Sequence, residues 1–324
     1  MSRVSKCTNG AALVTLLLAP LAFAGELRPA HIPADAKWII HVDYESFRES
    51  GISEKLRERN PFIATFARNW LIQQYGMDPA EDIRSATMFS RDYQKQTGTV
   101  ILHTDYDAKK VEAKLKTAIK HATTQWQRHT LHTVTLSKQR QQDKDPSGDQ
   151  EMTVVMLDND TIILASSVSN AQATIKLIEG SGESLIGKSS PLLTKSVSDA
   201  WFYGAAIDLG KLRDHEVSMP VLSQHEQVTL SFGKRDGMMY KEGTMIGQSE
   251  AVAQKMQKVL EGMVASGQLW AYDSEPLKSL YRDVNLERNG NAVSFSWKGN
   301  PDQVLTAMNE VCDRFDSWKQ LLMK

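Results

Sequence analysis

The sequence predicts an α+β fold: two related halves, each an antiparallel sheet covered by helices, behind a cleaved signal peptide. Three observations predict it. The first 24 residues have the charge and hydropathy plan of an export signal. Apolar strand-like runs alternate with amphipathic helical stretches through the rest of the chain. Three blocks of the front half recur, in the same order, in the back half. The boundaries that follow are residues 1–24 for the signal peptide, 25–180 for the first repeat, 181–199 for a Gly/Ser-rich linker and 200–324 for the second repeat.

In the signal segment, Arg3 and Lys6 form a basic start and Ala11 to Ala19 an apolar run that Pro20 breaks. Ala22-Phe23-Ala24 then supplies the small residues that a signal peptidase accepts. The run is shorter than the roughly 20 residues of a spanning helix. No later stretch reaches that length, so no membrane span is expected in the mature chain. Of the two cysteines, Cys7 falls in the segment to be removed and Cys312 in a helical pattern, so an intramolecular disulfide is excluded for the processed chain. With 41% hydrophobic and 24% charged residues over 324 positions, the chain is too apolar for disorder. Its formal charge of −1 lacks the positive field of a nucleic-acid binder.

The first block is an apolar strand ending in aspartate, Lys37 to Asp43 and again Trp201 to Asp208. Each is followed by a short helical stretch, Tyr44 to Glu49 and Leu209 to Asp214. Aspartate suits that boundary because its carboxylate accepts N–H bonds from the first helical turn. The second block is an amphipathic helix behind a strand-like stretch. Val111, Leu115, Ala118, Ile119 and Ala122 share a spacing with Val252, Met256, Val259, Leu260 and Met263 that predicts one buried stripe each. The third block, offset by 131 residues, is a hairpin turn, a strand and a capped helix. Asp158-Asn159-Asp160 matches Asn289-Gly290-Asn291, and Ser169 matches Asn300 as a cap. The first half adds a helix around 61–75 and a polar insertion, Lys138 to Glu151.

Several motifs suggest chemistry. Gly182 to Ser189 satisfies the G-x-x-x-x-G-K-[ST] phosphate loop, but the context opposes it: a helix, not a strand, is expected before it, and Pro191 interrupts the helix that should follow. His41 and Asp43 end one strand, and His103 and Asp105 end another. Alternation puts each pair on one strand face, and the four together have the donor set of a divalent-metal site. His129 and His132 fall on opposite faces of a strand, which spoils chelation by that pair. Trp38, Trp201, Trp297, Trp70, Trp126 and Trp318 read as core, the last three on helical patterns. Trp270 and Tyr272, in a loop-like stretch, read as an exposed aromatic pair for a partner or ligand. No nucleophile elbow, zinc-protease helix, paired-cysteine site or calcium loop occurs, so no catalytic residue and no cofactor is assigned.

The opening Ile32-Pro33-Ala34-Asp35-Ala36, then a strand with His41-Val42-Asp43 and a short helix, resembles the start of many secreted bacterial proteins of unknown function. The resemblance is clearest over residues 32–50. It implies export and a duplicated α+β body, and it supplies no catalytic residues. The function expected is therefore a periplasmic, non-enzymatic binding or scaffolding protein with a protein or small-molecule partner. The alternative is a metal-binding protein or metal-dependent hydrolase using His41, Asp43, His103 and Asp105.

Overall fold

The computed structural model describes residues 25–59, 78, 81–94, 97–136, 150–158, 160–186, 190–194, 197–214 and 222–322. The signal segment, the expected helix around 61–75 and insertion residues 138–149 lie outside the described residues.

The fold is α+β. The first half contributes β1 (Trp38–Asp43), α1 (Tyr44–Glu49), α2 (Ile52–Arg59), β2 (Ile83–Ser90), β3 (Thr99–Thr104), α3 (Ala108–Leu115), β4 (Lys120–Trp126), β5 (His129–Leu136), β6 (Gln150–Leu157), β7 (Thr161–Ala165) and α4 (Val168–Ile178). The second contributes β8 (Ala200–Ile207), a 3-10 turn (Leu209–Asp214), β9 (His225–Arg235), β10 (Met238–Gly247), α5 (Glu250–Trp270), α6 (Glu275–Arg282), β11 (Asn285–Asn289), β12 (Ala292–Gly299) and α7 (Pro301–Leu322). The twelve strands among the described residues join one antiparallel sheet in the order β11-β12-β10-β9-β8-β1-β2-β3-β7-β6-β5-β4. Whether the two halves share one sheet, which the sequence leaves open, is decided here: they do, sewn together where β1 pairs β8 with His41 opposite Tyr203. Outward from that seam, each side runs first, second and third strand and then turns back to the last.

Local chemistry places the boundaries. Asp43 caps α1 by accepting from Ser46 N, Asp107 caps α3, and Ser249 and Ser274 cap α5 and α6. The cap of α4 is Ser167 rather than Ser169. The β9–β10 hairpin turns at Asp236-Gly237, both at positive φ, the backbone that a two-residue turn of matching twist requires.

The long helix expected over 111–122 is corrected. α3 stops at Leu115, and the chain reverses into β4, which pairs with β5 from Lys120–Thr135 to Trp126–His129. Ile119 is exposed and Trp126 is a strand residue. Threonines 123 and 124 favour the extended chain, and the β5 edge supplies partners that a helix would forgo.

Cross-strand register defines two faces. On one, Ile39, His41 and Asp43 lie with Thr87, Ile101, Ile163 and Tyr203. Residues 25–36 and the linker cross this face, burying Leu27, Ile32, Leu185 and Leu192 against Ile39, Phe89 and Tyr203. α4 continues the cover over Val155, Leu157 and Ile163. The opposite face receives α3 against Val134, Val154 and Ile162, and α5 against Val293. α7 packs with Trp201, Met239 and Trp297.

Candidate functional site

The structure does not gather the four His-x-Asp residues. β2 separates β1 from β3, so that Asp43 and His103 flank Ser85 in one cross-strand row. His41 already uses both ring nitrogens, Nδ1 with Thr87 Oγ1 and Nε2 with the Gly25 carbonyl, each at 2.9 Å. Because a carbonyl only accepts, Nε2 carries the proton and Nδ1 accepts from the Thr87 hydroxyl. Asp43 accepts from Ser46 N and Ser46 Oγ. His103 Nδ1 pairs with Thr161 Oγ1 at 3.2 Å, and Asp105 faces Arg84 from an exposed position. Burial holds His41, His103 and neighbouring His31 at a pKa of about 4, with the Arg28 charge adding to the effect at His31 and His103. At neutral pH His41 and His103 are neutral core histidines, and half-buried His31 is neutral beside them. Among the described residues no group of three or more His, Cys, Asp or Glu side chains is placed to hold a metal ion.

The other polar motifs also find structural partners. His129 pairs with Glu179 and His132 with His121. The Gly182 turn follows helix α4, not a strand, and Ser184 bridges to Pro33. Residues 187–189 of the phosphate-loop motif lie outside the described residues.

Two surfaces stand out among the described residues. The first is the C-terminal half of α5. Val259, Met263 and Trp270 repeat at helical spacing and, with Tyr281 of α6, line an open apolar groove. Met263 is 64% exposed, Leu269 74% and Tyr272 72%. The stripe expected to bury Val259 and Met263 is therefore corrected: α5 buries Ala253 and Met256 and outruns the sheet beyond Leu260. Trp270 ends this helix rather than sitting in a loop. Its ring lies 5.0 Å from the Arg314 guanidinium of α7, which also binds the Trp270 carbonyl, Asp273 and Glu310. The indole is thereby held in place.

The second surface is the sheet face of the back half, on the side of the N-terminal segment. Register aligns Thr229, Thr244, Ser294 and Glu287 in one row and Ser231, Glu242, Ser296 and Asn285 in the next. With Tyr203 and Thr194 they line a cleft of about 220 Å³. The sequence carried a signal for it, the alternating polar side chains Thr229 and Ser231, Glu242 and Thr244, and Ser294 and Ser296, but alternation alone does not say which face a helix covers.

Compared with known proteins, the chain matches no protein-family model and no curated protein. Its fold is similar to that of TP0453 in three crystal forms. Form III has a TM-score of 0.49 at 7% identity, covering 88% of this chain and 99% of that one. Form I has 0.44 at 8%, covering 89% and 98%, and form IV has 0.43 at 6%, covering 89% and 99%.

The two surfaces differ in what they can do. The α5 ridge offers non-directional burial to another apolar surface. The cleft offers hydroxyl donors and acceptors together with two carboxylates, one of which, Glu242, accepts from Ser231 Oγ at 3.4 Å. Among the described residues, no helix is long and apolar enough to cross a membrane.

Proposed function

We propose that this is an exported, non-enzymatic binding protein with a duplicated body, which engages a protein partner through the α5 ridge and the turn after it. The observation that carries the reading is the run of exposed Val259, Met263, Leu269, Trp270 and Tyr272 on one helix and its following turn. Isolated exposed apolar residues are ordinary; a rimmed cluster of this kind marks a contact surface. Met263, unbranched and exposed, suits a surface that adapts to its partner. Export is supported by the signal-like first 24 residues, and duplication by the matching return order of strands on either side of the β1/β8 seam.

The test is a photo-crosslinking residue at position 263 in the producing cell, with position 234 on the β9 end as control. A single protein adduct from 263, reproduced with the purified partner and weakened at least tenfold by Leu269→Asp, is expected. Equal adducts from both positions would refute the reading. Cell fractionation checks export separately.

A second reading is favoured by the two polar rows: a small hydroxylated ligand in the Thr229–Ser296 cleft. Calorimetry with a saccharide panel tests it, and Thr244→Val must abolish any heat observed.

A further inference from the structure

Gly25, the first described residue, is buried against the sheet. Its carbonyl accepts from His41 Nε2. A methyl group on its Cα would overlap Asp43 Oδ1 and lie 2.5 Å from the carboxylate carbon and 2.8 Å from Oδ2. No residue but glycine fits there without displacing Asp43. The backbone nitrogen, bonded to the same Cα, is about 2.5 Å from that methyl position, and so within about 5 Å of the carboxylate carbon.

Asp43 itself is 5% exposed. It accepts from Ser46 N and Ser46 Oγ, yet among the described residues no lysine, arginine or protonated group pairs with it. His41, the nearest titratable group on its face, is held neutral by burial. A buried carboxylate without a cation is costly. The next element of the chain supplies what is missing, because Ala22-Phe23-Ala24 ends at the bond before Gly25.

We propose that cleavage after Ala24 makes Gly25 the amino terminus, and that its new α-ammonium group pairs with the Asp43 carboxylate. The inference rests on the export reading. Hydrolysis of the Ala24–Gly25 amide converts a neutral N–H into a cation with three donors beside a buried anion that retains unused lone pairs. Residues 25–36 are already fastened by Leu27 and Ile32 in the core and by Leu185 N to the Ile32 carbonyl. The ion pair closes this strap, so the processed chain holds its sheet face more tightly than the precursor.

The test crosses two changes. The chain beginning at Gly25 is compared with one carrying a single added serine before Gly25, each with and without Asp43→Asn. Asparagine remains a good helix cap, so the cross isolates the charge. The added serine is expected to raise the unfolding equilibrium constant at least tenfold in the Asp43 chain and less than twofold in the Asp43→Asn chain. Equal effects in the two backgrounds overturn the proposal. Should Asp43→Asn fail to fold, acylation of the α-amine decides: at least tenfold slower labelling in the native than in the denatured Gly25 chain supports the pair, and equal rates overturn it. Mass spectrometry of the exported protein separates the two readings. A start other than Gly25 removes the export-site reading and the proposal with it, whereas a Gly25 start without coupling removes the proposal alone.

Discussion

His121 Nε2 lies 3.0 Å from His132 Nδ1 across the β4–β5 hairpin, with the two ring planes 7° apart. The 5.3 Å between ring centres is nearly the hydrogen bond plus two ring radii, so the imidazoles lie end to end. This pair ties edge strand β4 to its neighbour beneath α3, where Glu112 and Lys116 face it.

A neutral pair needs one donor and one acceptor nitrogen, and two protonated rings oppose each other. Burial, and next the His121 charge, lowers the His132 pKa. Replacement His132→Leu is expected to cost about 1 kcal/mol, the ordinary worth of one hydrogen bond. Denaturant unfolding checks it, and hydrogen exchange should show the loss concentrated in β4.

Acid should destabilise the fold in a defined window. His31, His41 and His103 each fall from the usual 6.5 to about 4 in the folded chain, chiefly through burial. The unfolded chain therefore binds more protons than the folded one between those values. The stability tied to the neutral rings is complete above pH 6.5 and is lost as pH falls toward 4. Each histidine contributes at most about 1.4 kcal/mol per pH unit in the window. Unfolding midpoints measured from pH 7 to pH 4.5 should fall steeply, and His103→Gln should flatten the slope by about one proton. A pH-independent midpoint would contradict the buried neutral assignment.

Two glycines should respond with opposite signs to alanine. At Gly243, in the middle of β10, the added methyl would stand 2.6 Å from the Phe295 ring and 2.7 Å from the Thr229 carbonyl. A loss of about 1–3 kcal/mol is expected there. At Gly262, within α5, nothing lies within 4 Å. Gly262→Ala should stabilise by about 0.5–1 kcal/mol through helix propensity. Thermal or denaturant melts of both variants distinguish space from propensity as the cause.

Arg314→Met should free the Trp270 indole without unfolding the protein. Arg314 reaches Trp270, Asp273 and Glu310 from α7, and these contacts are at the surface. Red-shifted, more quenchable tryptophan emission with an unchanged melting temperature is the expected outcome. A lowered melting temperature would instead assign the cluster to the fold.

The one-dimensional record determined the features that nearest neighbours dictate. Tyr44–Glu49 after the Asp43 cap, the Asn289–Asn291 turn and the β12 strand were legible because caps, turns and alternation act over three to eight residues. The α+β class was legible for the same reason. Tertiary structure decided what distant partners control. The segment 116–126 has an acceptable helical stripe, yet pairing with β5 made it a strand. Val259 and Met263 fit the same stripe as Met256, but only the end of the sheet decides where α5 stops being covered. His41 and His103 carry the donors of a metal site, and the intervening β2, with Thr87, Thr161 and Gly25 as partners, gave their nitrogens other work. Strand order is a long-range choice made by burial and backbone pairing summed over the whole sheet, and no local pattern encodes it.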